Sequence, residues 1–191
     1  MNPDPYYLIQ INNTGYERLS RILRIPPSTM SVRDALKRYG LREWDSMISF
    51  AIVRNPYARA VSLYTTYLYS NKFGLLEKNI SFLTFLNLTL KHKRKPFYDR
   101  PRFFQTQWSW IKDFKNNQGV LGIGEYEKYY EAVFVFLTMI GLDPTSVTLR
   151  AEREPNPYRW QKYYEGTEGK MARSLVNEYW AEDFENLNYL V

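Results

Sequence analysis

The chain has 191 residues, of which 26 are Lys or Arg and 20 are Asp or Glu, giving a formal net charge of +6. With 45% hydrophobic and 24% charged residues, its composition is that of a globular protein and not of a disordered chain. The absence of cysteine and the single histidine, His92, exclude a disulfide framework, a thiolate metal site and a histidine-rich metal site. We expect one domain spanning residues 1–191.

Two apolar runs in the first third of the chain predict buried strands. The run YYLIQI, residues 6–11, is closed by NNTG and followed by YERLSRIL at helical spacing. The run SMISFAIV, residues 46–53, precedes Asn55 at an N-cap position and Pro56 at the first position of a helix that continues to about Ser70. A strand, a loop and a helix are therefore predicted twice in succession.

The same alternation continues through the rest of the chain. SFLTFLNLTL is typical of an amphipathic helix, GVLGIG at 119–124 of a third strand, and YEKYYEAVFVFLTMIGL of a helix with one apolar face. SVTLR at 146–150 predicts a fourth strand, and a last helix is expected from about Glu168 to Asp183. This order indicates an α/β fold, a parallel sheet flanked by helices on both faces.

The apolar segments also indicate where in the cell the protein is expected. The first residues, MNPDPYYLIQI, show no basic region ahead of a long apolar run, and AVFVFLTMIGL is too short to span a bilayer. We expect a cytoplasmic protein with no membrane partner. The positive charge suits an anionic ligand, but the chain carries no recognisable nucleic-acid-binding module, so nucleic acid is not expected as a partner.

Arg54 and Ser62 are the first candidate binding residues. Arg54 follows a predicted strand, and ligands of open parallel sheets bind at the carboxyl ends of the strands. Its guanidinium offers a forked, permanently charged donor to a phosphate, and Ser62, two turns into the next helix, offers a hydroxyl. The pair outlines a phosphate-binding corner.

The longer string FAIVRNPYARAVSLY, residues 50–64, resembles the 3′-phosphate-binding segment of the sulfotransferase superfamily, in the branch that includes carbohydrate sulfotransferases. The resemblance implies a P-loop-like sulfotransferase fold and 3′-phosphoadenosine 5′-phosphosulfate (PAPS) as co-substrate, with no metal. It also implies that Arg54 and Ser62 hold the 3′-phosphate, while Arg59 and Tyr64 shape that corner.

Three further segments extend the resemblance. GIGEYEKYYEAVFVFLTMIGLD at 122–143 is similar to a strand and helix of the family, and VNEYWAEDFENLNY at 176–189 to its closing signature. EPNPYRWQKYY resembles an Asn-containing loop, which implies that Asn156 and Arg159 approach the nucleotide.

The loop after the first strand departs from the family pattern. Aligned on Thr14 and Gly15, Asn13 stands where the family has the lysine that grips the 5′-phosphosulfate, so Asn13, Thr14 and Gly15 are candidate nucleotide-binding residues in a degenerate loop. TGYE also fits a capping box, in which Glu17 folds back onto the helix end and occupies its positive pole. The alternative is that Arg18 replaces the lysine from one turn further on.

The sequence offers several candidates for the base that would take the proton from an acceptor. In RFFQTQWSWI, Gln107 matches a family glutamine, but Phe103 stands where relatives commonly place a histidine. His92, in the basic run KHKRK, is the sole histidine; a lone histidine in such a run is more often a solvated surface residue than a base, although its ordinary pKa suits the task. Carboxylates are the other candidates: Asp99, Glu125 and Glu127.

The leading hypothesis is a PAPS-dependent sulfotransferase that moves a sulfuryl group to a hydroxyl or amine acceptor, a saccharide among them, with His92, Glu125 and Arg18 as candidate catalytic residues. The alternative is a catalytically inactive relative that binds a nucleotide or another anionic ligand.

Overall fold

The computed structural model describes residues 6–26, 28–75, 78–146 and 159–191. Three strands lie in this part of the chain: β1 (Tyr6–Ile9), β2 (Ile48–Val53) and β3 (Gly122–Glu125). Its α-helices are α1 (Tyr16–Ile22), α2 (Val32–Tyr39), α3 (Leu41–Ser46), α4 (Pro56–Tyr69), α5 (Phe82–Leu86), α6 (Gln107–Ile111), α7 (Tyr129–Met139), α8 (Gly166–Tyr179) and α9 (Ala181–Asn186).

The strands form a parallel sheet in the order β1-β2-β3. Ile9 pairs with Ala51, and Val53 pairs with Glu125, so the carboxyl ends of all three strands lie at one edge. The predicted α/β class, a parallel sheet flanked by helices, is confirmed, and the first three predicted strands are found within about three residues of their expected positions. Gly124 is required in β3 because a Cβ there would lie 2.4 Å from the Ala132 side chain of α7.

Both faces of the sheet are buried, as expected for parallel strands with near-continuous apolar runs. On one face, Leu8, Phe50 and Ile52 pack with residues of α1 and α7, including Leu19 and Phe136. The alternate residues of the same strands, Ile9, Ala51 and Val53, are also buried. The central strand is therefore shielded from water on both sides.

The chain divides into two compact units, each made of two segments. The first unit comprises Met1–Arg54 and Gln107–Glu152 and contains the sheet, and the second comprises Asn55–Thr106 and Arg153–Val191. The core of the second unit is largely aromatic and packs α4 with the helices α5 and α8. The single domain expected over residues 1–191 stays a prediction.

The start of α4 follows local chemistry that the sequence shows directly. The Asn55 side chain accepts hydrogen bonds from the backbone N–H groups of Tyr57 and Ala58, and Pro56 occupies the first turn. The helix ends at Tyr69, with Ser70 as its C-cap. The predicted cap and both helix boundaries are thus confirmed.

Two predicted helices are not continuous. SFLTFLNLTL forms the short helix α5 and then a π-helical turn, Asn87–Lys91. The helix expected from Glu168 to Asp183 breaks at Trp180, whose backbone departs from helical geometry (φ −121°, ψ 30°). The Trp180 indole is buried, and its N–H donates to the Phe104 carbonyl oxygen at 2.8 Å, which holds the chain in this break.

The fourth strand predicted at 146–150 falls outside the described residues, except for Ser146, which closes a short 3₁₀ turn, Pro144–Ser146. Within the described part of the chain, every helix is too short or too polar to cross a membrane.

Candidate functional site

The candidate site lies at the carboxyl edge of the sheet, in the first unit. Asn13 follows β1, Arg54 directly follows β2 and Tyr126 directly follows β3. The Arg54 Nη1 group donates to the Asn13 carbonyl oxygen at 3.3 Å, and the guanidinium carbon lies 4.3 Å from the centre of the Tyr126 ring. Three segments that are far apart in the sequence therefore meet around one arginine.

Gln107 holds the backbone of Arg54. Its side-chain oxygen accepts a hydrogen bond from the Arg54 N–H, and its side-chain nitrogen donates to the Arg54 carbonyl oxygen, both at 2.8 Å. Gln107 is fully buried at the start of α6. The peptide at the tip of β2, from which the guanidinium projects, is thus bound on both sides by one amide.

The loop after β1 turns sharply to reach Arg54. Asn13 and Gly15 both adopt left-handed backbone conformations, with φ of 63° and 83°. A Cβ on Gly15 would lie 2.7 Å from the Tyr126 ring, and the Tyr129 hydroxyl donates to the Gly15 carbonyl oxygen at 3.2 Å. Glycine is required here for both its backbone angle and its lack of a side chain.

The predicted capping box at Thr14 is wrong. Gly15 is the N-cap of α1 and makes no side-chain cap, while the Thr14 hydroxyl donates to the Ile11 carbonyl oxygen at 2.7 Å. The left-handed turn at Gly15 moves the start of the helix one residue along and directs the Thr14 side chain back into the loop.

Glu17 nevertheless turns its carboxylate towards the loop. Burial of the carboxyl group raises its pKa, against the lowering effects of its own N–H, the charges of Arg21 and Arg54, and the Asn13 N–H. Glu17 is exposed in the first turn of α1, and its carboxylate lies beside Asn13, within electrostatic reach of Arg54. An anion bound at Arg54 would therefore meet a negative charge of the protein nearby.

Arg18 lies against α7. Its guanidinium carbon is 5.5 Å from the centre of the Tyr129 ring and 5.8 Å from that of Tyr130, and its Nη2 atom is buried with no hydrogen-bond partner among the described residues. These contacts account for a packing role. The replacement of the missing lysine by Arg18 stays a prediction.

Arg59 is a core residue of the second unit. It is fully buried; its guanidinium donates to the carbonyl oxygens of Gln105 and Phe103 at 2.9 and 3.1 Å, and it lies 3.9 Å from the Asp183 carboxylate and over the Trp180 ring. Burial lowers its pKa to about 10, although the Asp183 charge acts in the opposite direction. All of these contacts are with groups of the protein, and the corner-shaping role that the resemblance implies stays a prediction.

Three other residues are assigned to the nucleotide by the resemblance: Ser62, Asn156 and Arg159. Ser62 is half-buried in α4, where its carbonyl oxygen accepts from the hydroxyls of Thr65 and Thr66 at 3.1 and 2.8 Å. Asn156 lies outside the described residues, and Arg159 begins the short helix Arg159–Tyr164. Their binding roles stay predictions.

The two candidate bases of the second unit have different surroundings. His92 is exposed at the end of the π-helical turn. Asp99 accepts from the Lys72 ammonium at 2.6 Å and from the Tyr67 hydroxyl at 2.8 Å. Burial opposes ionisation of Asp99, but these two groups and the charge of Arg100 outweigh it and lower the pKa of the carboxyl. Asp99 is therefore held as an ion-paired carboxylate.

The two candidate bases of the first unit lie next to Tyr126. Glu125 is the last residue of β3, and its carboxylate lies 3.1 Å from the Lys128 ammonium. Glu127 is exposed in the 3₁₀ turn that follows. Of the four candidates, Glu125 and Glu127 are the ones that flank a residue contacting Arg54.

The position where relatives commonly have a histidine supplies no base. The Phe103 carbonyl oxygen accepts from Arg59, and its ring lies 5.3 Å from the Arg100 guanidinium carbon. The neighbouring Gln107 is the part of that segment that reaches the first unit's site, through the Arg54 backbone.

Sequence reasoning missed one residue of this arrangement, Tyr126, and the role of another, Gln107. Tyr126 could have been found by the rule that used Arg54, because it too follows a strand of a parallel sheet. Gln107 was singled out for its resemblance, but no local pattern indicates that its amide would pair with a peptide 53 residues away.

Chemically, the site offers one permanent positive charge, an aromatic face and a glycine turn beside the backbone. No group of three His, Cys, Asp or Glu side chains that could hold a metal ion is found within the described ranges. Comparisons with protein-family models, with curated proteins and with solved structures gave no match.

Proposed function

We propose that the chain binds a PAPS-type nucleotide at the carboxyl edge of its sheet, in a P-loop-like sulfotransferase fold, and transfers a sulfuryl group to a hydroxyl or amine acceptor. The observation that carries the proposal is the position of Arg54. It projects from the tip of the central strand beside the loop after β1, the two places that the sequence resemblance assigns to the nucleotide.

In the proposed reaction, an acceptor oxygen or nitrogen attacks the sulfur in line as the bond from sulfur to the 5′-phosphate oxygen breaks. The products are the sulfated acceptor and adenosine 3′,5′-bisphosphate, and the acceptor proton passes to a base, for which Glu125 or Glu127 is the candidate nearest Arg54. Positioning and charge stabilisation carry such a transfer. Arg54 provides the charge for the 3′-phosphate, and the resemblance adds the Ser62 hydroxyl.

A second candidate function is nucleotide binding without transfer, and it is favoured by the loop. Asn13 contributes no charge where the family has lysine, and the Glu17 carboxylate lies within electrostatic reach of Arg54. A negative charge at this place opposes binding of the phosphosulfate and stabilisation of the charge that develops on the leaving oxygen.

The nucleotide site is tested by calorimetric titration with adenosine 3′,5′-bisphosphate and with adenosine 5′-monophosphate. Arg54→Ala should weaken bisphosphate binding by about ten- to a hundredfold, the loss of a charge-assisted contact, and should abolish the preference over the monophosphate. Arg42→Ala, an exposed arginine of α3, is the matched control. Equal affinity of the unmodified chain for the two nucleotides would refute the proposal.

Transfer is tested with PAPS and a panel of hydroxyl and amine acceptors. If the chain is an enzyme, PAPS binds at least as well as the bisphosphate and sulfated product forms. If Arg18 takes the role of the lysine, Arg18→Ala abolishes product formation; if Arg18 only packs against α7, product still forms. If it is a binding protein, both nucleotides bind but no product forms. In that case, the double substitution Asn13→Lys and Glu17→Thr should raise the affinity for PAPS. The affinity for the bisphosphate should rise only by the amount that the added positive charge contributes to any anion.

A further inference from the structure

The net positive charge of the chain is concentrated in one segment of the second unit. Residues 72–106 contain eight Lys or Arg residues and two acids, Glu77 and Asp99, an excess of six. Since the whole chain has 26 basic and 20 acidic residues, the remainder carries eighteen of each and is neutral. The charge that suits an anionic partner therefore belongs to this segment and not to the sheet.

The centre of this segment is the basic turn, Lys91–His92–Lys93–Arg94–Lys95. All five residues are exposed, and no ion pair to them is found among the described residues. Five residues span at most about 17 Å, so neighbouring charges lie within the Debye length of about 8–10 Å at physiological ionic strength. Their potentials therefore add, and the turn favours a ligand with several negative charges.

The basic turn is fixed at both ends. Leu90 before it and Phe97 after it are buried in the core of the second unit. Within it, the Arg94 N–H donates to the Leu88 carbonyl oxygen at 2.8 Å, and the Arg94 carbonyl oxygen accepts from the Tyr98 N–H at 2.9 Å. A turn held in this way presents its cations without first having to be ordered, which lowers the entropic cost of binding.

The aromatic residues next to the basic turn face inwards. Phe97 lies 5.9 Å from Phe73 in the core, and Tyr98 stacks on Phe104 at 5.2 Å. Single-stranded nucleic acids are bound by exposed aromatic side chains on which the bases stack, and duplexes are commonly read by a helix or ribbon in a groove. The basic turn offers neither, and its contacts are limited to charge.

We propose that the basic turn is a binding surface for a linear anionic polysaccharide, whose regularly spaced carboxylate or sulfate groups it meets with ammonium and guanidinium donors. The proposal is independent of the nucleotide site, because none of the five residues is among those assigned to the nucleotide. It holds whether the chain transfers sulfate or only binds a nucleotide.

The test is titration of the full chain with size-defined heparin fragments in low-salt buffer. A variant with Lys91→Gln, Lys93→Gln, Arg94→Gln and Lys95→Gln should bind at least about tenfold more weakly, as expected from four exposed charge contacts. The matched control replaces four exposed cations of the first unit, Lys37, Arg38, Arg42 and Lys115, by Gln. Since both variants carry the same net charge, the control should lose less than about threefold.

The outcomes separate this surface from its alternatives. Equal losses in the two variants would show that net charge alone attracts heparin and would overturn the proposal. It would also be overturned if single-stranded DNA of equal charge, or vesicles containing anionic lipid, bound the basic turn more tightly than heparin. The affinity for adenosine 3′,5′-bisphosphate should be unchanged in the basic-turn variant. The heparin and nucleotide titrations therefore test the two proposals separately, and either proposal can fail without the other.

Discussion

Gln107→Ala tests how the peptide of Arg54 is held. The substitution removes two hydrogen bonds of 2.8 Å between a fully buried amide and the backbone at the tip of β2. Each such bond contributes about 1 kcal/mol net, and a buried polar group that loses its partner costs about 1–3 kcal/mol. We therefore expect the free energy of unfolding to fall by about 2–5 kcal/mol.

The measurement is urea denaturation, with bisphosphate titration alongside it below the unfolding transition. Because the guanidinium remains but its peptide is less well fixed, nucleotide binding should weaken by less than in Arg54→Ala. Gln118→Ala is the matched control, since this exposed glutamine donates one bond, to the Val120 carbonyl oxygen at 2.9 Å, and should cost under about 1 kcal/mol.

A loss of stability in Gln107→Ala no larger than that in Gln118→Ala would refute the reasoning about the buried amide. A full loss of stability with unchanged nucleotide affinity would instead show that the position of the Arg54 peptide does not matter to the ligand.

Two further predictions concern the charged residues Glu17 and Arg59. The pKa of Glu17 is raised by burial, so its carboxylate gains a proton at a higher pH than an ordinary glutamate as the pH is lowered from 8. Bisphosphate binding of the unmodified chain should then approach that of Glu17→Gln, and affinities that differ equally at every pH would contradict this. Arg59→Ala should lower the free energy of unfolding by about 3–5 kcal/mol, because it leaves the buried Asp183 carboxylate without its cation. Thermal unfolding checks this prediction, and a loss matching that of exposed Arg42→Ala would contradict it.

Local chemistry explains why part of the fold could be predicted. The Asn55 cap and Pro56 act on neighbouring residues of α4, so sequence order alone specifies where that helix begins. The buried strands could be recognised because both faces of a parallel sheet demand apolar side chains. The carboxyl ends of such strands share an edge, which is why Arg54 could be expected near the loop after β1.

The remaining features depend on distant parts of the chain. TGYE has the residues of a capping box, but the rings of Tyr126 and Tyr129 crowd Gly15 and accompany its left-handed turn, which moves the cap. Arg59 looks like a ligand-binding arginine in the sequence because its acceptors at Phe103, Gln105 and Asp183 lie far along the chain. A sequence motif does not distinguish a cation that faces a ligand from one that faces the core.

The two-segment construction of the second unit has a consequence for synthesis. The Tyr57 carbonyl oxygen accepts from the Tyr164 hydroxyl, 107 residues later, and Arg59 contacts Trp180 and Asp183. These contacts form only after the later residues have been synthesised. At roughly 5–20 residues per second, the ribosome needs about 4–17 seconds to pass from residue 106 to residue 191. During that interval α4 carries a guanidinium and aromatic side chains whose partners do not yet exist. A nascent chain halted before Trp180 should therefore be held by chaperones, and released once the last two helices have emerged.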